Sequence, residues 1–177
     1  MTDTNDQLAL SAALTLKTNQ LCIGLASGTA EIFELVTPER AFIAWAQADT
    51  LVQAFCKLSE NRHTFTRLRY VKDDGLPAFY SPDFLVRTKD AVYLVETKAQ
   101  QQTIHPNVQR KLRAALAWCD RINDLSVFDR GSPPWHYVLL AEDVLVEWQA
   151  KGARLAELLD FARLRPLASA SLQERLI

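Results

Sequence analysis

The chain has 177 residues, of which 49% are hydrophobic, and this is enough to bury the core of one globular domain. Its 20 basic and 21 acidic residues give a net charge of −1, so overall charge gives no support for a nucleic-acid partner. No apolar run approaches the ~18 residues of a membrane span, and the polar start lacks a signal-peptide pattern. The separated Cys22, Cys56 and Cys119 predict reduced core thiols, so we expect a cytoplasmic protein.

Residues 1–36 are predicted to form an N-terminal extension, with a short helix over residues 8–18 followed by two strand-like apolar runs. Its GLASGTAE segment lacks the Lys-Ser/Thr ending of a phosphate-binding loop, so we assign no nucleotide site to this chain. Thr37-Pro38-Glu39 then begin a helix that should run to about Glu60. Apolar residues at helical spacing give that helix a packing face: Ala44, Ala48, Leu51, Phe55 and Leu58.

Strands are predicted next, because Leu68 and Tyr70 alternate with arginines before the turn-forming Asp73-Asp74-Gly75. Two further strands are predicted over 82–87 and 91–97. The short RTKD segment between them predicts an antiparallel hairpin.

A second long helix is predicted from Pro106, with an apolar stripe of Val108, Leu112, Ala115, Cys119 and Ile122. A strand over 135–141 follows, and then a helix over 142–164 that breaks near Gly152 and ends before Pro166, leaving a tail over 166–177. The order αβββαβ, with a last helix, predicts an α/β (α+β) domain over 37–165 with a mixed sheet between helices.

The predicted hairpin brings three charged residues together. Asp83 begins one strand, and Glu96 and Lys98 end the next on a shared face. In an antiparallel hairpin, the position numbers of directly opposed residues have a constant sum. Asp83 shares the face of Glu96 if this sum is 179, which pairs Asp83 with Glu96, or 177, which a four-residue RTKD loop gives by placing Val86 opposite Ala91. A sum of 178 would put Asp83 and Glu96 on opposite faces of the sheet.

Two neighbouring carboxylates repel each other, and a hard cation between them relieves this repulsion. Mg²⁺ prefers oxygen ligands, and the Thr97 carbonyl is a further candidate donor. Lys98 is placed to orient a water and to stabilise negative charge at phosphorus. A Glu-x-Lys triplet alone is commonplace at strand ends, so the pairing with Pro-Asp carries the prediction of phosphodiester hydrolysis.

At YSPDFLV and YLVETKAQ the chain resembles the PD-(D/E)XK nucleases, and in particular the C-terminal endonuclease domain of type III restriction enzymes. The resemblance covers roughly residues 37–141. It implies a restriction-endonuclease-like core, DNA as substrate, Mg²⁺ as cofactor with Mn²⁺ as a substitute, and a prokaryotic restriction-modification role. In such enzymes this domain follows a helicase-like ATPase motor and acts with a modification methyltransferase subunit; this chain contains no motor, so it is either an excised domain, with ATP used by the motor of the parent protein, or a stand-alone relative. Double-strand cleavage by a domain with one site predicts pairing of two such domains, as a homodimer or through longer parent chains.

Carried over to this sequence, the resemblance makes Asp83 and Glu96 the metal ligands and Lys98 the catalytic lysine. Accessory candidates are Glu39, Gln109 and Lys111, and candidate DNA contacts are Arg67, Arg69, Arg110 and Lys111. For all of these accessory residues, the alternative is an ordinary solvated face or, for Glu39, the helix dipole.

Two rival functions stay open: a catalytically silent nuclease-fold module that binds DNA or protein, and a DNA repair or recombination nuclease. A hydrolase triad is not supported, because His105 and His136 have no partner at informative spacing.

Overall fold

The computed structural model describes residues 37–60 and 63–164. The extension predicted over 1–36 and the tail predicted over 166–177 lie outside the described residues, as do Cys22 and Pro166.

The described residues form five α-helices and six strands. The helices are α1 (Thr37–Ala48), α2 (Pro106–Asn123), the single-turn α3 (Val127–Arg130), α4 (Glu142–Ala150) and α5 (Leu155–Leu164). The strands are β1 (Ala54–Lys57), β2 (Leu68–Val71), β3 (Pro77–Tyr80), β4 (Phe84–Arg87), β5 (Val92–Lys98) and β6 (Trp135–Ala141).

Four strands form a mixed sheet in the order β1-β4-β5-β6. The β1–β4 and β4–β5 pairs are antiparallel, whereas β5 and β6 are parallel and are joined through α2, as parallel neighbours require. The antiparallel hairpin β2–β3 forms a separate two-stranded sheet. The described residues therefore form an α/β domain with a mixed sheet flanked by helices.

Both faces of the sheet are covered, which explains why β5 is buried along nearly its whole length and begins with an apolar run over residues 92–95. One face packs against α1, α4 and α5 through Phe42, Leu145 and Leu158. The other packs against α2 and the β2–β3 hairpin through Leu112, Cys119 and Leu68.

The prediction that α1 runs to about Glu60 is wrong, because α1 ends at Ala48 and residues 54–57 form β1. The buried Asp49 accounts for the end of the helix. Its Oδ1 accepts a hydrogen bond from the Leu51 amide at 2.9 Å, and its Oδ2 accepts one from the Ala156 amide at 2.8 Å. An aspartate that bonds nearby amides competes with helix continuation.

Strand β3 was also not predicted, since its PAFY sequence shows little alternation of polarity. The hairpin β4–β5 was predicted correctly as antiparallel, and of the two registers that the sequence allowed, the one with a sum of 179 is confirmed, whereas the alternative that places Val86 opposite Ala91 is not observed. Arg87 lies opposite Val92, so the paired positions sum to 179. The turn is Thr88–Ala91, closed by a 2.9 Å hydrogen bond from the Thr88 amide to the Ala91 carbonyl.

The second half of the chain follows the sequence prediction closely. Helix α2 begins at Pro106, and the stripe residues Leu112, Ala115, Cys119 and Ile122 are buried. The last helical region is interrupted near Gly152, whose φ of 73° favours glycine. Within the described residues, no helix is long and apolar enough to cross a membrane.

Candidate active site

Strand β5 extends three residues beyond the start of β4. The last β4–β5 pair is Phe84 with Val95, so residues 96–98 of β5 pair only with β6 on the opposite side. By alternation, Glu96 and Lys98 project from the face that Leu94 shares with α2, and Thr97 projects from the other face. The end of β5 is thus open toward the residues that precede β4.

Asp83 lies in this opening, immediately before β4. Its amide donates to the Val95 carbonyl at 2.9 Å. Its Oδ2 accepts hydrogen bonds from the Thr97 amide at 2.7 Å and the Thr97 hydroxyl at 2.9 Å. The amide and carbonyl of one strand residue point to the same side of the strand, so the Thr97 carbonyl also faces this edge.

The register places position 83 opposite position 96, yet Asp83 does not meet Glu96 as a simple cross-strand pair. Asp83 is outside β4, and its carboxylate bonds Thr97, whose side chain projects from the α1 side of the sheet. The carboxylate therefore lies at the sheet end between the two faces. The negative charge of Asp83 still acts on Glu96, since after burial it contributes most to raising the pKa of the Glu96 carboxyl.

Glu96 is buried, with only 4% of its surface exposed. Burial, followed by the charge of Asp83, raises the pKa of Glu96 to about 6, while Lys98 and Lys111 oppose the shift. Its Oε1 accepts an ion-pair contact from Lys98 Nζ at 2.9 Å. Its Oε2 is buried and has no hydrogen-bond partner among the described residues. An orphaned buried carboxylate oxygen is costly unless a proton or a cation satisfies it.

Lys98 is held as a cation beside this carboxylate. Burial lowers its pKa, but the charge and hydrogen bond of Glu96, together with the charges of Asp83 and Glu39, raise it overall. Lys98 therefore remains a protonated donor at neutral pH.

Lys57, which sequence reasoning did not single out, joins Glu39 to Asp83. Its Nζ lies 2.5 Å from Glu39 Oε1 and 3.5 Å from Asp83 Oδ1. Glu39 is thereby brought to the edge of the site by an ion pair. No local sequence signal would have identified Lys57, because the prediction placed it inside a helix.

The other two accessory candidates, Lys111 and Gln109, have different surroundings. Lys111 lies beside the site: its Nζ is 5.0 Å from the centre of the Tyr80 ring, and its charge lowers the pKa of Glu96. Gln109 instead donates its side-chain amide to the Thr103 carbonyl at 2.7 Å, so it stabilises the turn before α2.

The candidate DNA contacts Arg67 and Arg69 lie on the outer face of the β2–β3 hairpin. Both are exposed, and Arg69 is paired with Phe79, over whose ring the Arg67 guanidinium lies at 5.2 Å. Arg110 lies on α2 and is half-buried. The hairpin leads directly into the site, since Tyr80 at the end of β3 is three residues from Asp83.

The donor atoms of this site match a hard divalent cation. Among residues 37–60 and 63–164 there is no group of three or more His, Cys, Asp or Glu side chains placed to hold a metal. A cation would rest on the two carboxylates of Asp83 and Glu96, the Thr97 carbonyl and water. Mg²⁺ usually takes one or two carboxylates and keeps several waters, and the unpartnered Glu96 oxygen is a donor of the type it prefers.

Comparisons with known proteins found no matching family model, no matching curated protein and no matching solved structure.

Proposed function

We propose that this chain is a magnesium-dependent endonuclease domain that hydrolyses DNA phosphodiester bonds, with a core of the restriction-endonuclease-like type. The observation that carries the proposal is the buried, unpartnered oxygen of Glu96, beside the Asp83 charge and the Lys98 ammonium. A buried carboxylate oxygen without a hydrogen-bond partner is unfavourable in a merely structural role, and it is expected of a metal ligand.

Each residue has a separate task in this mechanism. Asp83, Glu96 and the Thr97 carbonyl would hold Mg²⁺, with Mn²⁺ as a substitute; when bound, the ion supplies an activated water and neutralises phosphate charge. The hydrogen bonds from Thr97 orient the Asp83 carboxylate. Lys98, protonated and 26% exposed, donates hydrogen bonds to the attacking water and stabilises negative charge developing at phosphorus.

Two basic surfaces next to the site are suited to the DNA backbone. Arg67 and Arg69 lie on the hairpin that leads into Asp83, and Arg110 and Lys111 lie on α2, which covers the Glu96 face. Positive side chains that contact phosphates position DNA without reading its sequence. This local charge makes a DNA substrate compatible with a net charge of −1.

The biological assignment rests on the motif resemblance. We propose the nuclease module of a type III restriction-modification enzyme, site-specific and cytoplasmic, acting with a helicase-like ATPase motor and a methyltransferase subunit. A single site per chain calls for a second copy to cut both strands, so a homodimer is part of the proposal.

One observation favours a catalytically silent binding module instead. Lys57 neutralises Asp83 and Glu39 without a metal, so these carboxylates have a structural role of their own. A repair or recombination nuclease would keep the chemistry but prefer nicked or branched DNA.

Cleavage of supercoiled, linear, nicked and branched DNA with Mg²⁺ or Mn²⁺ separates these functions. Asp83→Ala and Lys98→Ala should each lower the rate by roughly 10²–10³-fold, because each removes a group that acts on the transition state. Lys89→Ala, at the exposed turn between β4 and β5, is the matched control and should retain full activity. A folded chain, in its physiological assembly, that cuts no DNA with either metal would contradict the enzyme function.

A further inference from the structure

Lys57 occupies a position in which its charge must affect cation binding. Its Nζ contacts Asp83 Oδ1 at 3.5 Å, and Asp83 is one of the two proposed carboxylate ligands. The side chain lies along the Phe84 ring, with Nζ 4.8 Å from the ring centre, and Phe84 is the residue opposite Lys57 in the β1–β4 pair. The ammonium is therefore held beside Asp83 by both strand pairing and an aromatic contact.

Glu39 gives Lys57 a second, closer partner. The Lys57–Glu39 contact is 2.5 Å, against 3.5 Å for Lys57–Asp83, so the ammonium is shared unequally between the two carboxylates. An ammonium that already has a closer partner can release Asp83 without losing all of its charge compensation. Helix α1 thus supplies a second and closer carboxylate partner for Lys57.

We propose that Lys57 is an exchangeable counter-cation that sets the divalent-metal affinity of the site. In the metal-free protein it compensates the charge of Asp83. When a divalent cation binds Asp83 and Glu96, Lys57 remains paired with Glu39 and raises the free energy of the bound state by charge repulsion. This inference rests on the proposed function, since it concerns the same metal ligands.

The proposal predicts that two substitutions change the Mn²⁺ affinity in opposite directions. Lys57→Met removes the repelling charge and keeps an apolar chain against Phe84, so Mn²⁺ should bind roughly tenfold more tightly. Glu39→Gln removes the closer partner, so Lys57 compensates Asp83 more strongly and Mn²⁺ should bind more weakly. A residue with a purely structural role would weaken binding in both variants.

The double variant Glu39→Gln/Lys57→Met separates this account from direct ligation by Glu39. Without Lys57, the Glu39→Gln change should no longer weaken Mn²⁺ binding. If it weakens binding equally in both backgrounds, then Glu39 acts as a ligand and the counter-cation role is overturned.

Isothermal titration of the full chain with Mn²⁺ measures these affinities without any cleavage assay. Lys57→Arg, which keeps the charge, should bind Mn²⁺ within a few fold of the unaltered chain. Lys151→Met is the matched control, because Lys151 forms a 2.5 Å ion pair with Glu147 on exposed α4, and it should leave binding unchanged. Lys57→Gln replaces Lys57→Met if the methionine variant does not fold.

The outcomes distinguish the two proposals. Unchanged or weaker Mn²⁺ binding by folded Lys57→Met, while the unaltered chain binds Mn²⁺, overturns the counter-cation role alone. If the unaltered chain binds no Mn²⁺ at millimolar concentration, both this inference and the proposed function are overturned.

Discussion

Burial of the Glu96 carboxyl makes the stability of the folded chain depend on pH. Its pKa is raised to about 6 from an ordinary value of 4.5, chiefly because burial disfavours the charged form. At low pH the carboxyl is neutral in both the folded and the unfolded chain, so folding does not have to bury a charge. As the pH rises from about 4.5 to 6, the carboxyl ionises in the unfolded chain before it ionises in the folded chain, so about 2 kcal/mol of stability is lost, and the loss is complete above pH 6. Lys98 stays charged throughout this window.

Glu96→Gln removes this titration. In EDTA, urea unfolding should show that the stability of the variant relative to the unaltered chain increases by about 2 kcal/mol between pH 4.5 and pH 7. Excess Mg²⁺ should reverse the order at pH 7, because only the unaltered chain gains stability from ligand binding. The exposed Glu147→Gln variant is the control, and it should show neither effect. Parallel stability curves for Glu96→Gln and the unaltered chain would show that Glu96 does not ionise as described.

At the residue scale, the sequence predicted the members of the site that follow from local spacing. Asp83, Glu96 and Lys98 could be found because a short hairpin limits how far apart two strand ends can lie. Lys57 could not be found, because its contact with Glu39 joins β1 to α1 across the fold. The orientation of Asp83 was also not predictable, since it depends on the hydrogen bonds that Thr97 donates.

At the element scale, one face of the β2–β3 hairpin carries basic and aromatic side chains, which are the types that contact nucleic acids. Arg67 and Arg69 stand on it with Phe79, which is 52% exposed, while the opposite face packs on α2 through Leu68 and Tyr70. A two-stranded ribbon with basic and aromatic side chains suits contact with phosphates and exposed bases.

Replacing both arginines, as Arg67→Ser/Arg69→Ser, should weaken duplex binding in EDTA. The slope of log affinity against log salt should become shallower by about 2, because each lost phosphate contact contributes nearly one to that slope. Lys89→Ser/Lys151→Ser removes the same charge from exposed positions away from the hairpin and is the control. An unchanged slope in the arginine variant would place the DNA elsewhere.

The errors in predicting elements have a common physical cause. Residues 49–60 continue the helical spacing of α1, yet Asp49 directs its carboxylate to the Leu51 and Ala156 amides and ends the helix. Ala54–Lys57 then gains backbone hydrogen bonds from β4, which a short strand of low β-propensity requires. Tertiary contacts, absent from any sequence window, decided both outcomes. Helix α2 and β6 were predicted well because their apolar patterns are long and regular.

At the scale of the whole molecule, the mixed sheet brings separated parts of the chain to one edge. Glu39 from α1, Lys57 from β1, Asp83 before β4 and Glu96 in β5 meet there, although they span 58 positions of the sequence. Helix α2 and the β2–β3 hairpin cover one face of the sheet beside this edge, and α1, α4 and α5 cover the other. The helices that cover both faces fix the strand ends at which these four side chains meet.

The central claim is that this edge holds a catalytic divalent cation. Anomalous diffraction from crystals of the full chain soaked with Mn²⁺, recorded at the manganese edge, tests it most directly. The account predicts a peak bounded by the Asp83 and Glu96 carboxylates and the Thr97 carbonyl, which is lost in Glu96→Gln crystals. No peak at this position at saturating Mn²⁺, or a peak that persists in the Glu96→Gln variant, would contradict it.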